Sequence, residues 1–336
     1  MNKKYAFFVC CNGQYIPYLN ALLNSIDKWG INIDLFLMYY DFDKKYLETI
    51  TSSFDYPIYP LKIKREDFDI HKYNERNNNL FIKQSRFKYI RENGLDYDVI
   101  CMLDADMFIT TPNYLNLFDL VNGTNKLIGC NERFKWVFDR KYVARGERIF
   151  PNNVKAHKFH CSVPIIFDLK EWTNVFDTYN DMAYNAFEVS TDGKIKKSIG
   201  DIYCWNISVY KHKRQNDVVL FPMETMTQVH QTNLIAWTRV TKNQNYWMTF
   251  AGDEVWSIHG RIGTPGWRGM HTRKMDQLIG EGQITSADKW VSPDRIRKQA
   301  ESTLRLIEKE WYDLNFNHKV NLYDFKPENK YWDKLK

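Results

Sequence analysis

"YDVICMLDADMFITTP", Tyr97 to Pro112, is the stretch on which the reading of the fold turns. The apolar run Val99 to Leu103 ends in two aspartates one residue apart, Asp104 and Asp106, and Met107 to Ile109 is apolar again. A short apolar run of this kind predicts a buried strand. The carboxylates at its end are then either hard oxygen ligands or a capped polar turn.

The sequence before this stretch alternates between two periods. Tyr5 to Cys11 is strand-like; Ile16 to Ile26 carries Tyr18, Leu22 and Ile26 at helical spacing; Ile33 to Tyr40 is a second apolar run. An amphipathic stretch follows from Lys44 to Phe54, then a short strand Ile58 to Ile63, and a helix Phe81 to Asn93 stopped by Gly94. A strand, helix, strand, helix rhythm predicts an α/β fold with a largely parallel sheet and helices on both faces. Ligands of such sheets sit beyond the carboxyl ends of the strands, where Asp104 and Asp106 fall.

D-x-D by itself is weak, because Asp41/Asp43, Asp67/Asp69 and Asp96/Asp98 fit it too. Asp96/Asp98 precedes its strand, Asp67/Asp69 lies in a charged segment beside Lys64, Arg65 and Glu66, and Asp41/Asp43 leads into Lys44 and Lys45 as a helix start. Only Asp104/Asp106 has apolar sequence on both sides. Two carboxylates there are costly to bury as ions without a cation, and hard oxygen donors suit Mn2+ or Mg2+. A D-x-D-x-T phosphatase is a poor match, since Phe108 stands where that class has Thr or Val. The capped turn with exposed carboxylates stays open at this point.

Beyond Pro112 the pattern is less regular. Val163 to Phe167 and Val218 to Phe221 read as strands, Leu169 to Ala186 and Asp201 to Lys211 as helices, and Val255 to His259 as a strand before a Gly-rich turn. Ser292-Pro293-Asp294 predicts a helix start, after which Ile296, Leu304, Ile307, Trp311 and Leu314 mark one apolar face that packs back on the rest of the chain. The 336 residues are 44% apolar, enough for a sizeable core, and contain no apolar run of membrane-spanning length. Tyr5 to Cys11 reads as a strand rather than a signal peptide. Six scattered cysteines without C-x-x-C spacing predict reduced, mostly buried thiols, a cytoplasmic location and no structural zinc. The net charge of +6 favours an anionic ligand without choosing among nucleotide, nucleic acid and acidic lipid.

At this point the residues resemble a GT-A fold nucleotide-sugar glycosyltransferase, most similar to the family 8 retaining enzymes. "FFVCCNGQY", Phe7 to Tyr15, resembles the family's first strand and nucleoside-binding loop, with Asn12 and Tyr15 at the nucleoside and Tyr15 stacked on the base. Arg86 in "FIKQSRFKYIRENG" stands where the family carries a basic residue near the donor, and "LDADMF" resembles its "LDxDxx". "FHCSVPIIFDLKEW" resembles the block lining the donor sugar, "GDIYCWN" the family's "DQDxxN", and "SIHGRIGTPGW" its "HxxGxxKPW". A histidine satisfied in a turn would be the default reading of His259; its place in this last block makes it the third metal ligand.

The resemblance runs from about Tyr5 to Trp267. It implies a GT-A (Rossmann-like) mixed, mostly parallel central sheet flanked by helices. Residues 1–270 would form the glycosyltransferase domain, 1–110 binding the nucleotide and 111–270 the sugar and acceptor, with 271–336 a C-terminal helical extension. It further implies transfer of a hexose from a nucleoside-diphosphate sugar, expected to be a UDP-sugar, to an acceptor hydroxyl with retention. Asp104, Asp106 and His259 would hold Mn2+ or Mg2+. Asn12, Tyr15, Arg86, Asp104, Ala105, Arg261 and Gly263 would contact the donor, and Asp201 and Asp104 would stand at the reaction centre. The acceptor, whether glycan, protein, lipid headgroup or nucleic acid, would approach over the second half, including Trp205 and a mobile loop within Asn131 to His157. Two departures stand out: Pro265 occupies the family's lysine position and Ile202 its glutamine position, with Arg261 or Arg268 as possible sources of the missing charge. The alternatives are a GT-A-like nucleotidyltransferase, which usually has a Gly-rich basic loop that Cys10 to Pro17 lacks, and a non-enzymatic nucleic-acid-binding protein, for which the basic residues are too dispersed.

Overall fold

The computed structural model describes residues 3–63, 88–94, 96–131, 142–144, 147–148, 161–189, 195–198, 201–222, 225–228, 240–262 and 293–325. The expected alternation is present: β1 (Tyr5–Asn12), α1 (Ile16–Lys28), β2 (Asp34–Tyr40), α2 (Lys44–Ser53), β3 (Ile58–Lys62) and β4 (Val99–Asp104). The Asp43 carboxylate accepts from the Tyr46 N–H at 2.7 Å, so this aspartate caps α2 as its sequence setting predicts. Of the helix expected before β4, residues 88–93 are described and are helical. Asp67 and Asp69 lie outside the described residues.

β4 is followed by β5 (Met107–Ile109), β6 (Leu127–Asn131), β7 (Tyr142–Ala144), β8 (Glu147–Arg148), β9 (Cys161–Phe167), β10 (Ala186–Val189), β11 (Ile195–Ser198), β12 (Val218–Phe221), β13 (Met226–Gln228), β14 (Val240–Asn243), β15 (Tyr246–Thr249) and β16 (Ser257–His259). The central sheet has seven strands in the order β12-β6-β9-β4-β1-β2-β3. β9 runs antiparallel to both neighbours and the other pairs are parallel, so the sheet is mixed and mostly parallel. Ala6 to Val9 and Val99 to Leu103 are fully buried, which explains why these strands read as continuous apolar runs rather than alternating ones. Pro164 sits inside β9 without breaking it. The pairing to β6 jumps from Gly129↔Ile165 to Cys130↔Ser162, leaving the proline in an irregularity where no ladder N–H is needed.

The helices Leu169–Asn185 and Asp201–Lys211 match the sequence reading within a residue. Trp205 departs from it. It is 1% exposed, wedged among Phe167, Trp172, Phe176 and Tyr179, and so is core rather than a surface over which an acceptor moves. Within the span expected to be a loop, β7 and β8 pair with each other, and β7 joins β10 and β11 in a four-stranded antiparallel sheet. Strands of two to four residues are too short to carry a readable period. Five cysteines, Cys10, Cys11, Cys101, Cys130 and Cys204, are buried free thiols, as their apolar settings predict.

The C-terminal helix Pro293–Phe316 packs against α1 with Leu304, Ile307, Trp311 and Leu314 buried. The side chain of Ile296 and the whole of Ser292 lie outside the described residues. Polar side chains fix the register of this packing: Asn24 donates to the carbonyls of Leu314 and Val320 at 2.8 and 2.9 Å and accepts from the Val320 N–H at 3.2 Å. Among the described residues no helix is long and apolar enough to cross a membrane.

Candidate functional site

Strand order decides where a site can form. β1 continues to β2 and β3 on one side, while β4 returns on the other side of β1. The crevice between the carboxyl ends of β1 and β4 is therefore a topological switch point, the place where open α/β sheets bind ligands. Asp104 is the last residue of β4 and pairs in register with Cys10 of β1. After the turn at Ala105 and Asp106 the chain leaves the large sheet and enters β5, the edge of a three-stranded sheet ordered β13-β16-β5. The two apolar runs flanking the D-x-D pair are thus strands of two different sheets, and the pair sits at the junction.

The smaller sheet delivers the histidine. β16 runs antiparallel to β5 with His259 opposite Met107, and the Gly260 N–H donates to the Asp106 carbonyl at 2.7 Å. Gly260 has φ 154°, a backbone state that favours glycine. His259 Nε2 lies 3.2 Å from Asp106 Oδ1 and 3.6 Å from Asp104 Oδ2. One donor atom from each of the three residues falls within 4.8 Å of the others. The two carboxylate side chains are only 8% and 14% exposed. Like charges this close and this dry repel unless a cation neutralises them, and two carboxylates with an imidazole form a donor set suited to Mn2+. The turn with solvated carboxylates is excluded by this burial.

The supporting shell ties side chains to the backbone around β5. The Ile109 N–H donates to Ser25 Oγ at 2.9 Å and the Ile109 carbonyl accepts from Trp29 Nε1 at 3.0 Å, so α1 covers the free edge of β5. Thr110 Oγ1 donates to the Val255 carbonyl and Thr111 Oγ1 to Glu254, tying the far end of β5 to the chain entering β16. Cys11 lies near the cluster: burial above all, then the negative charges of Cys10 and Asp106, hold its thiol well above its ordinary pKa.

The loop after β1 completes the crevice. Asn12 Oδ1 accepts from the Gln14 N–H at 3.1 Å and shapes the turn that presents Tyr15. The Tyr15 ring has the Arg261 guanidinium 5.2 Å from its centre, so residues from the two ends of the candidate site meet. Asn12, Tyr15, Asp104, Ala105, Asp106, His259 and Arg261 all belong to the elements that border this crevice. Arg86, Gly263, Pro265 and Arg268 lie outside the described residues. Asp201 opens the helix Asp201–Lys211, and its side chain and that of Ile202 are not among those described.

Two parts of the site escaped sequence reasoning. The first is the Ser25 and Trp29 clamp on β5, which carries no sequence signal because Ser25 is one of many buried positions on α1 and Trp29 lies just past its end. The second is Gly13, whose signal was available as the single glycine closing a strand. A Cβ on Gly13 would lie 2.1 Å from the Asp41 carbonyl oxygen, and Asp41 itself has φ 54°. The ends of β1 and β2 therefore touch through backbone, with no side chain able to yield. Gly13→Ala is expected to cost about 1–3 kcal/mol in denaturant unfolding. An unchanged midpoint would show that this contact has slack.

No protein-family model matches the chain, and no curated protein matches it. Among solved structures, it is similar to the bifunctional glycosyltransferase WbbM at 15% identity over 85% of this chain and 52% of that one, with a TM-score of 0.49. The chain thus spans about half the length of that protein. It is also similar to the galactosyltransferase LgtC, solved with donor and acceptor sugar analogs, at 12% identity over 88% of this chain and 95% of that one, TM-score 0.46. A third is the glycosyltransferase GlyE of Streptococcus pneumoniae TIGR4, at 12% identity over 84% of this chain and 64% of that one, TM-score 0.49.

Proposed function

We propose that this chain is a metal-dependent glycosyltransferase of the GT-A fold, moving a hexose from a nucleoside-diphosphate sugar, a UDP-sugar, to an acceptor hydroxyl with retention. One observation carries the reading: Asp104, Asp106 and His259 converge, largely buried, at the switch point of the sheet, beside the loop that presents Asn12 and Tyr15. That arrangement supplies a divalent-cation site next to a crevice with the position expected of a nucleotide site.

In this reading Asp104, Asp106 and His259 hold Mn2+ or Mg2+. The ion supplies positive charge for a departing diphosphate. Asn12, Tyr15, Arg86, Ala105, Arg261 and Gly263 border the donor, and Asp201 with Asp104 stands at the reaction centre. The bond from the anomeric carbon to the diphosphate oxygen breaks, and a bond from that carbon to the acceptor oxygen forms. The acceptor's proton passes to the released diphosphate. Burial of the carboxylates matters here because charge stabilisation is stronger where water is excluded.

A panel of UDP-, GDP- and ADP-sugars with Mn2+, and again with EDTA, tests this by thermal shift and by hydrolysis. The expected result is stabilisation by a UDP-sugar only when metal is present, amounting to about 2.7 kcal/mol at a hundredfold excess over Kd. Absence of any metal-dependent nucleotide-sugar binding would falsify the proposal.

A further inference from the structure

The hairpin of β14 and β15 has two unlike faces. Directly opposed residues of an antiparallel pair point the same way, and the register sets Val240 against Thr249, Lys242 against Trp247, Thr241 against Met248 and Asn243 against Tyr246. The first two pairs form the inner face. Val240, Trp247 and Thr249 are buried, Thr303 Oγ1 of the C-terminal helix donates to the Val240 carbonyl at 3.2 Å, and Lys242 donates to Glu310. The other two pairs face outward. Tyr246 is 49% exposed and stacks on Trp29 with ring centres 5.7 Å apart at 27°. Phe250, next in the alternation after Met248, is 59% exposed at the start of the turn that follows β15. Beside these rings the hairpin is polar without charge, through Thr241, Asn243, Gln244 and Asn245. The charged side chains at its border are committed: Glu254, bridged to Met248, accepts from Thr111 and from Asn113 Nδ2, and Lys28 and Lys242 share Glu310.

We propose that this face is a binding site for a neutral oligosaccharide, with Tyr246 and Phe250 as its stacking platforms. The apolar C–H side of a sugar ring packs on an aromatic ring, and sugar hydroxyls, which both donate and accept, match the amides of Asn and Gln. Size and charge argue against the rivals. A stable protein partner needs about 800 Å2 on this side, whereas two aromatic side chains of about 200 Å2, each roughly half exposed, offer about 200 Å2. The two ammonium groups bordering the face, Lys28 beside Trp29 and Lys242, are already held by Glu310, which disfavours an anionic ligand. Tyr246 and Phe250 are roughly 13 Å apart along an extended chain, so the occupant is a chain of sugars rather than one. Trp29 links the face to the metal side of the molecule: its indole N–H donates to the Ile109 carbonyl, three residues or roughly 10 Å along β5 from Asp106. Under the transferase reading, on which this assignment rests, the chain bound here is the acceptor glycan beyond its reacting end.

Saturation-transfer NMR and calorimetry with hexameric α-glucan, β-glucan, mannan and galactan, in the absence of metal and nucleotide, test this directly. At least one hexamer should bind saturably, and its monosaccharide about tenfold more weakly or worse. Tyr246→Ala and Phe250→Ala should each weaken the hexamer by about 3- to 10-fold, while Tyr246→Phe keeps its affinity, since stacking needs the ring and not the hydroxyl. Phe250→Ala, confined to a surface turn, covers the case in which Tyr246→Ala disturbs Trp29, and its nucleotide-sugar binding in Mn2+ should match wild type. No saturable binding of any hexamer, or binding that both alanine variants leave intact, overturns the inference. A wild-type dimer in sedimentation that Tyr246→Ala dissociates overturns it too, because the face is then an interface between copies of the chain. Glycan binding that these variants weaken, in a protein that binds no nucleotide sugar, keeps this site and sinks the transferase reading instead.

Discussion

Asp106→Ala is expected to abolish metal-dependent donor binding and to lower transfer by about 10^3-fold, while the metal-free protein becomes no less stable than wild type. The stability half of this expectation is the sharper one. Asp104 and Asp106 are 8% and 14% exposed in their side chains, and the His259 imidazole lies 3.6 and 3.2 Å from them. Without an added cation their mutual repulsion opposes folding, so removal of one carboxylate relieves a cost. With Mn2+ present the order should invert: wild type gains stability on adding metal and the variant does not. The measurement is a pair of thermal melts for each protein, with Mn2+ and with EDTA. A variant that still responds to metal, or one that is markedly less stable in EDTA, would mean that Asp106 serves the turn rather than an ion.

Glu310→Gln is expected to destabilise the protein by about 3 kcal/mol at neutral pH, or roughly 4 °C in melting temperature for a chain of this length. The Glu310 carboxylate, 8% exposed in its side chain, accepts from Lys28 in the last turn of α1 and from Lys242 in β14. One buried anion thereby joins the C-terminal helix, α1 and the hairpin before β16. Glutamine keeps the volume but leaves two half-buried ammonium groups uncompensated. Lys28 adjoins Trp29, whose indole holds the Ile109 carbonyl in β5, so this ion triad braces the same helix that supports the metal-side strand.

The pH dependence follows from Glu310. Burial pushes its pKa up, but the hydrogen bonds and charges of Lys242 and Lys28 outweigh burial and hold it below its ordinary value of 4.5. A carboxylate whose folded pKa is depressed adds stability above the unfolded value and loses it as pH falls through the folded one. The wild-type advantage over Glu310→Gln should therefore be full above about pH 5 and shrink as pH falls below 4.5. A gap that stays constant down to pH 3 would show that the side chain acts by packing alone.

Much of the fold was legible because its signals are local. β1, β2 and β4 are runs of residues largely buried on both faces, and the helices between the first strands announce themselves by spacing and by the Asp43 cap. The short strands β7, β8, β10 and β11 were illegible for the same reason, being too brief to show a period. Trp205 was misread because a tryptophan beside a motif looks the same in sequence whether it faces a cleft or the core. Its neighbours Trp172, Phe176 and Tyr179 come from a helix some thirty residues earlier, and only packing brings them together.

The candidate site divides along the same line. Local sequence was enough to place Asp104 at the end of a buried strand and to prefer it over three other D-x-D pairs, because the free energy of burying apolar residues is written into neighbouring positions. That His259, 153 positions away, lies beside Asp106 is a matter of sheet register and of one hydrogen bond from Gly260. The contact of Gly13 with Asp41 and the approach of Arg261 to Tyr15 are of this second kind as well. Periodicity tells a residue which way to face. Which partner it meets there is decided by the long-range pairing of strands, and no local pattern encodes that.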